Sequence, residues 1–165
     1  MNSKKSIIIY FSRADENYSV GYIEKGNKEV VAETIREITD SDIFKVEPAN
    51  PYAKDYQTCI EEAKERQANH IAPIKTNIPD ISNYEIIYIG APVYWGDLPE
   101  EMVTAIKDVD FTGKIIRPFT THEGSGLGNI PNQIQIICKG AKVLDGLAIQ
   151  GASVNNARER IQDWI

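Results

Sequence analysis

Three groups of residues in this sequence are of types that could hold a ligand, and each sits where an apolar run gives way to a polar loop. In the first, Ser12 and Arg13 follow the run Ser6-Ile7-Ile8-Ile9-Tyr10-Phe11, and Gly26-Asn27-Lys28 opens an amphipathic segment. A hydroxyl, two cations, a glycine that permits close approach and the unpaired N–H groups of a helix start together make an anion cradle, suited to a phosphate. Gly26-Asn27 is equally an ordinary helix cap, and Glu29 could occupy the same positive helix end. In the second group, Pro92-Val93-Tyr94-Trp95-Gly96, two large aromatics stand where a buried strand normally passes into small turn residues. They either roof the core or offer a flat face to a planar heteroaromatic ring, with Gly96 leaving room for its edge. The third group, Thr121-His122-Glu123-Gly124-Ser125-Gly126, continues to Gly128 and presents backbone N–H groups and small hydroxyls. His122 beside Glu123 suits acid–base work, but with no nucleophile in reach, hydrogen bonding to a ligand or to the loop fits better.

These groups need a scaffold that brings them together, and the hydrophobic pattern supplies one. Ser6 to Phe11 reads as a strand buried on both faces, delivering Ser12 to the rim of a sheet. Val31, Ile35 and Ile38 repeat at helical spacing from Asn27 to about Thr39, and Asp42 to Val46 reads as a strand stopped by Pro48 and Pro51. Tyr56, Cys59, Ile60 and Ala63 give a helix running to about Asn69, and 73–83 is a turn-rich connector. Tyr84 to Ala91 is the most strand-like run, and Pro99 suits the first turn of a helix carrying Met102, Val103 and Ile106. Lys114 to Thr121 is a fourth strand. A helix through Ile130, Ile134, Ile137 and Cys138 stops at Gly140; Val143 to Ile149 is a fifth strand, bent at Gly146; and Ser153 caps a terminal helix with Val154, Ala157, Ile161 and Trp164 inward. Strands alternating with helices imply an α/β fold with a parallel sheet covered on both faces. In such sheets ligands bind beyond the carboxyl ends of the strands, where strand order reverses, so the three groups fall in the right place.

Composition bounds the rest. A chain of 165 residues fits one domain spanning 1–165. The net charge of −6 argues against a nucleic-acid or anionic-membrane surface, which would need clustered Lys and Arg. The apolar run after Lys5 ends at Phe11 without a cleavage pattern, and no stretch is long enough to span a bilayer, so the expected location is cytoplasmic. Cys59 and Cys138 have no metal spacing and fall on apolar helical stripes, where buried packing is expected.

Taken together, the three loops resemble those of the flavodoxin-like family. Tyr10-Phe11-Ser12 and Gly26-Asn27 are similar to the two halves of its phosphate loop, Ala91-Pro92-Val93-Tyr94-Trp95 to the loop flanking the flavin, and Thr121 to Gly126 to the loop along the other edge. The resemblance implies a three-layer, doubly wound, five-stranded parallel sheet of order 2-1-3-4-5. It also implies FMN, with the phosphate on Ser12, Asn27, Lys28 and nearby amides, and the ring between the loops bearing Pro92 to Gly96 and Thr121 to Gly126. Two departures stand out. Arg13 to Lys25 is a long insertion carrying Tyr18 and Tyr22, and Lys28 stands where a Thr hydroxyl usually meets the phosphate.

A flavin carries the electrons, and the protein holds the ring and sets its redox levels. Trp95 stacking and the Glu123 carboxylate would disfavour the anionic reduced flavin, which predicts a low potential for the last electron. The first expectation is an FMN-binding electron carrier that docks through its acidic surface on basic redox partner proteins, a reductase and an acceptor. The second is an FMN-dependent NAD(P)H:quinone-type reductase using the long first loop as a platform for a small aromatic acceptor. The third is a flavin-free binding module on the same fold.

Overall fold

The computed structural model describes residues 5–11, 15–17, 21–23, 27–50, 53, 55–122, 126–150 and 157–165, with the backbone alone at 15–17, 21–23, 27, 28 and 56. The first strand, β1 (Ser6–Phe11), is buried along its whole length, as its unbroken apolar sequence requires. Its odd residues Ile7, Ile9 and Phe11 enter one core and its even residues Ile8 and Tyr10 the other. Two short strands follow, β2 (Asp15–Asn17) and β3 (Gly21–Ile23), paired antiparallel. The sequence gives no sign of this pair, because three-residue strands are too short to show an alternation.

Helix α1 (Asn27–Thr39) packs Val31, Ala32 and Ile35 on the sheet and leads to β4 (Asp42–Val46). Helix α2 (Tyr56–Asn69) is capped by Asp55, whose carboxylate accepts from the Thr58 N–H at 2.9 Å. The chain then re-enters the core. Ile81 is buried, and Ile74 and Ile78 join the same core with Tyr84, which precedes the strand that begins at Ile86, so the 73–83 connector covers part of a sheet face. Strand β5 (Ile86–Pro92), helix α3 (Glu100–Ile106), strand β6 (Ile115–His122) and helix α4 (Ile130–Ile137) complete the centre of the fold. The last strand position is filled in two pieces, β7 (Lys142–Val143) and β8 (Leu147–Gln150), both parallel to β6. The break lies at 144–146, where Gly146 meets the Leu127 side chain. Helix α5 is described from Arg158 to Trp164; Ser153 and Val154 lie outside the described residues, while Ala157 and Ile161 are buried as expected.

The sheet order is β4-β1-β5-β6, then β7 and β8. Counting only the sheet positions in chain order, this is 2-1-3-4-5. Helices α1 and α5 cover one face, and α3, α4 and the connector cover the other. One packing detail fixes the sheet centre: a Cβ built on Gly90 would fall 2.2 Å from the fully buried Phe119 ring, so the aromatic lies directly over the glycine of the neighbouring strand.

Candidate functional site

Because every strand of the main sheet is parallel, β1, β5 and β6 end on one edge. Tyr10 pairs with Gly90, Pro92 with Thr121, and His122 with Gln150, which sets the three strand ends side by side. Ser12 follows Phe11 directly, Val93 follows Pro92, and Glu123 follows His122. Asn27 opens α1 at this same edge, since α1 returns the chain to the far edge where β4 begins. Ser12, Arg13, Gly26, Glu123, Gly124 and Ser125 lie outside the described residues, as do the side chains of Asn27 and Lys28.

The loop after β5 is held rigidly. Tyr94 and Asp97 exchange backbone hydrogen bonds of 2.9 and 3.0 Å, closing a turn on Trp95 and Gly96. Both central residues have positive φ, 53° and 82°, the conformation of tight hairpin turns. Gly96 adopts it freely, whereas a side chain as large as Trp95 is strained there, and such strain persists only where surrounding contacts enforce it. The enforcement is visible: Trp95 Nε1 donates to the Ile60 carbonyl of α2 at 2.7 Å, and Lys64 Nζ lies 5.1 Å from the ring centroid. Trp95 is nonetheless 54% exposed. Tyr94 instead turns inward, edge-on to Phe11 at 6.1 Å between centroids.

The same loop is tied to two further elements. From α2, Gln67 Nε2 donates to the carbonyls of Tyr94 at 2.7 Å and Leu98 at 2.9 Å. From α4 and the turn before it, Asn129 N–H donates to the Gly96 carbonyl at 2.7 Å, Asn129 Nδ2 to Asp97 Oδ1 at 3.1 Å, and Leu98 N–H to Gln133 Oε1 at 2.8 Å. Gly128 touches Gly96 so closely that a Cβ there would sit 2.4 Å from the Gly96 oxygen. The second loop therefore touches the end of the third at Gly96 and Gly128, and Asn129, just beyond that loop, is bonded to Gly96. Beneath them, α2 and α3 are joined by Arg66 on the fully buried Glu101 at 2.5 Å and by His70 Nδ1 on Glu100 Oε1 at 3.2 Å.

Two observations bear on what this edge can receive. The Thr120 hydroxyl is used internally, donating to the Gly126 carbonyl at 2.8 Å. Thr121 is also buried, yet its hydroxyl has no hydrogen-bond partner among the described residues, and a buried hydroxyl without one calls for a ligand or an ordered water. At Gly96 a Cβ would meet nothing within 4 Å, so the turn backbone faces open space.

On the first-loop side, Tyr10 donates its hydroxyl to Glu29 Oε1 at 3.2 Å, and burial, with the Glu29 carboxylate second, raises the phenol well above its ordinary range. Both cysteines are buried; burial pushes the Cys138 thiol up to about 12, which makes it inert near neutrality. Among the described residues no group of His, Cys, Asp and Glu could hold a metal ion, and no helix is long and apolar enough to cross a membrane. Gln67, Asn129 and Gln133 escaped the sequence reading because each acts on a partner about thirty positions away, with no local signal.

No curated protein sequence matches the chain. Among solved structures it resembles a candidate flavoprotein from Bacteroides uniformis, at 23% identity, TM-score 0.77, covering 99% of this chain and 98% of that one. A flavoprotein in complex with FMN from Lactobacillus acidophilus is similar at 22% identity and TM-score 0.68, over 93% and 98% of the two chains. Oxidised flavodoxin 2 from Bacillus cereus is similar at 17% identity and TM-score 0.54, over 98% and 99%. These likenesses share the fold. The flavodoxin family model matches residues 17–165, nearly the whole chain, and with the sheet order and the strand-end loops already in place, the chain belongs to the flavodoxin family.

Proposed function

We propose that this chain binds FMN at the carboxyl edge of its sheet and acts as an electron carrier. One observation carries the reading: the ends of β1, β5 and β6 lie side by side, and the loops after the last two are bonded to one another at Gly96 and Asn129. The residues present fit the cofactor, since they combine a strained, half-exposed indole, an open glycine turn and a buried threonine hydroxyl that needs a partner. The flavodoxin family and the FMN-bound relative from Lactobacillus acidophilus support the same choice.

In this reading Ser12, Arg13, Gly26, Asn27, Lys28 and the first amides of α1 receive the phosphate, where helix N–H groups favour an anion. Pro92, Val93, Tyr94, Trp95 and Gly96 hold one side of the ring, and Thr121, His122, Glu123, Gly124, Ser125 and Gly126 the other. The bound flavin supplies the one- and two-electron chemistry that side chains lack. Gln67, Asn129 and Gln133 keep the ring-binding turn from moving, so little ordering is left to be done on binding. The excess of carboxylates over cations then steers basic redox partner proteins toward the molecule.

The paired strands β2 and β3 lie in the chain between the end of β1 and the start of α1 and favour a second reading, a nicotinamide-dependent reductase with that pair as one wall for a small aromatic acceptor. Three measurements separate the readings. FMN added to the purified protein should shift the flavin absorption bands with one-to-one stoichiometry; unshifted bands favour a flavin-free binding module. Oxidation of a nicotinamide by the protein alone favours the reductase. Flavin reduction only when a separate reductase is supplied favours the carrier.

A further inference from the structure

Glu29 lies in the first turn of α1, where a carboxylate is attracted to the positive helix end and competes there with an anionic ligand. Its side chain does not turn to the helix N–H groups. Glu29 Oε1 accepts from Tyr10 Oη at 3.2 Å and lies 3.8 Å from Lys45 Nζ. Tyr10 and Lys45 are register partners on β1 and β4, so the two side chains emerge together on the face that α1 covers. The other carboxylates near this phenol are Glu33, one turn along α1, and Glu47, which is paired with Lys75 at 3.6 Å. Among the described residues, Lys45 is thus the cation that meets the carboxylate nearest the start of α1.

We propose that Lys45 and Tyr10 are positioning residues: they hold the Glu29 carboxylate against the sheet and offset its charge, so that the first turn of α1 stays open to the phosphate of the flavin. The pair thereby sets the preference for a phosphorylated over an unphosphorylated flavin. This inference rests on the FMN reading above. Lys45 is not itself a phosphate ligand in it, and the two roles give different results when Glu29 is also changed.

The test is titration of the full chain with FMN and with riboflavin, at low salt and at about 0.5 M salt, for the natural sequence, Lys45→Met, Glu29→Gln and the double variant. Lys45→Met should weaken FMN by about two- to fivefold at low salt, the range for one charge near a helix end, and leave riboflavin unchanged. The loss should fade at high salt. Glu29→Gln should bind FMN as well as the natural chain or better, and the double variant should recover what Lys45→Met lost. A double variant as weak as Lys45→Met would make Lys45 a direct ligand and overturn the inference. Equal losses for FMN and riboflavin would overturn it too, by exposing a structural role. A natural chain that binds neither flavin defeats the FMN reading itself, whereas one that binds FMN with a ratio untouched by these changes defeats this inference alone.

Discussion

Thr121→Val should stabilise the flavin-free protein and weaken flavin binding, two effects of opposite sign from one atom. The hydroxyl is buried at the end of β6 with no partner among the described residues. Burying a hydroxyl unpaired costs about 1–3 kcal/mol judged from protein mutants. Valine has the same shape and the same β-branched preference for a strand, so the exchange removes the polar atom without opening a cavity. The flavin-free protein should gain about 1 kcal/mol, read as a higher urea midpoint at unchanged slope. In the complex the same hydroxyl gains a partner, and losing that bond should cost about 1 kcal/mol, roughly fivefold in Kd. Thr121→Ser keeps the hydroxyl and should retain FMN affinity. A Thr121→Val protein that is less stable without flavin would mean the hydroxyl is already satisfied. Unchanged FMN affinity would mean that it faces away from the ligand, and either result refutes the reasoning.

Gly90→Ala should cost about 1–3 kcal/mol or more in chemical denaturation, because the new methyl falls 2.2 Å from Phe119, whose ring is itself packed against Trp164 at 6.3 Å. Adding Phe119→Leu should recover part of that loss, and strictly additive effects would refute the close-packing account. Trp95→Phe deletes the bond to the Ile60 carbonyl and should cost about 0.5–1.5 kcal/mol. It should also lower the FMN affinity of the protein, since the flat indole is lost from the ring site; an unchanged Kd for FMN would remove Trp95 from that site. Native protein at pH 8 should leave both cysteines unmodified by a thiol reagent that labels two per chain after unfolding. Since the folded Cys138 pKa is raised, its contribution to stability is complete below the ordinary value of 9 and declines as pH climbs toward 12.

Much of the scaffold was legible because its elements carry strong local patterns. Ser6 to Phe11 is continuously apolar, and α1 and β4 begin and end at the residues expected, Asn27 to Thr39 and Asp42 to Val46. What stayed hidden was long-range. The amphipathic stripe of α2 announces a helix but not its anchors, which prove to be polar: Arg66, Gln67, His70 and the Ile60 carbonyl all serve the 94–101 segment. The 73–83 connector reads as turns because Pro73 and Pro79 interrupt it, yet Ile74, Ile78 and Ile81 recur often enough to enter the core. The sequence shows Tyr94 and Trp95 only as an aromatic pair, and the turn geometry separates Tyr94, tucked against Phe11, from Trp95, held outward in the left-handed region. From sequence Glu29 is a competitor for the anion; its engagement with Tyr10 and Lys45 depends on strand register, which no single segment reveals.

The central claim is that three distant segments form one flavin pocket at the carboxyl edge of the sheet. Backbone amide shifts recorded by NMR while FMN is added test it most directly. The account predicts saturable shifts grouped at Phe11, Asn27, Trp95, Gly96, His122 and Gly126, with Lys5, Ser41 and Asp42 at the opposite edge unmoved. Shifts confined to a single one of those loops, or centred on the amino edge, would contradict it.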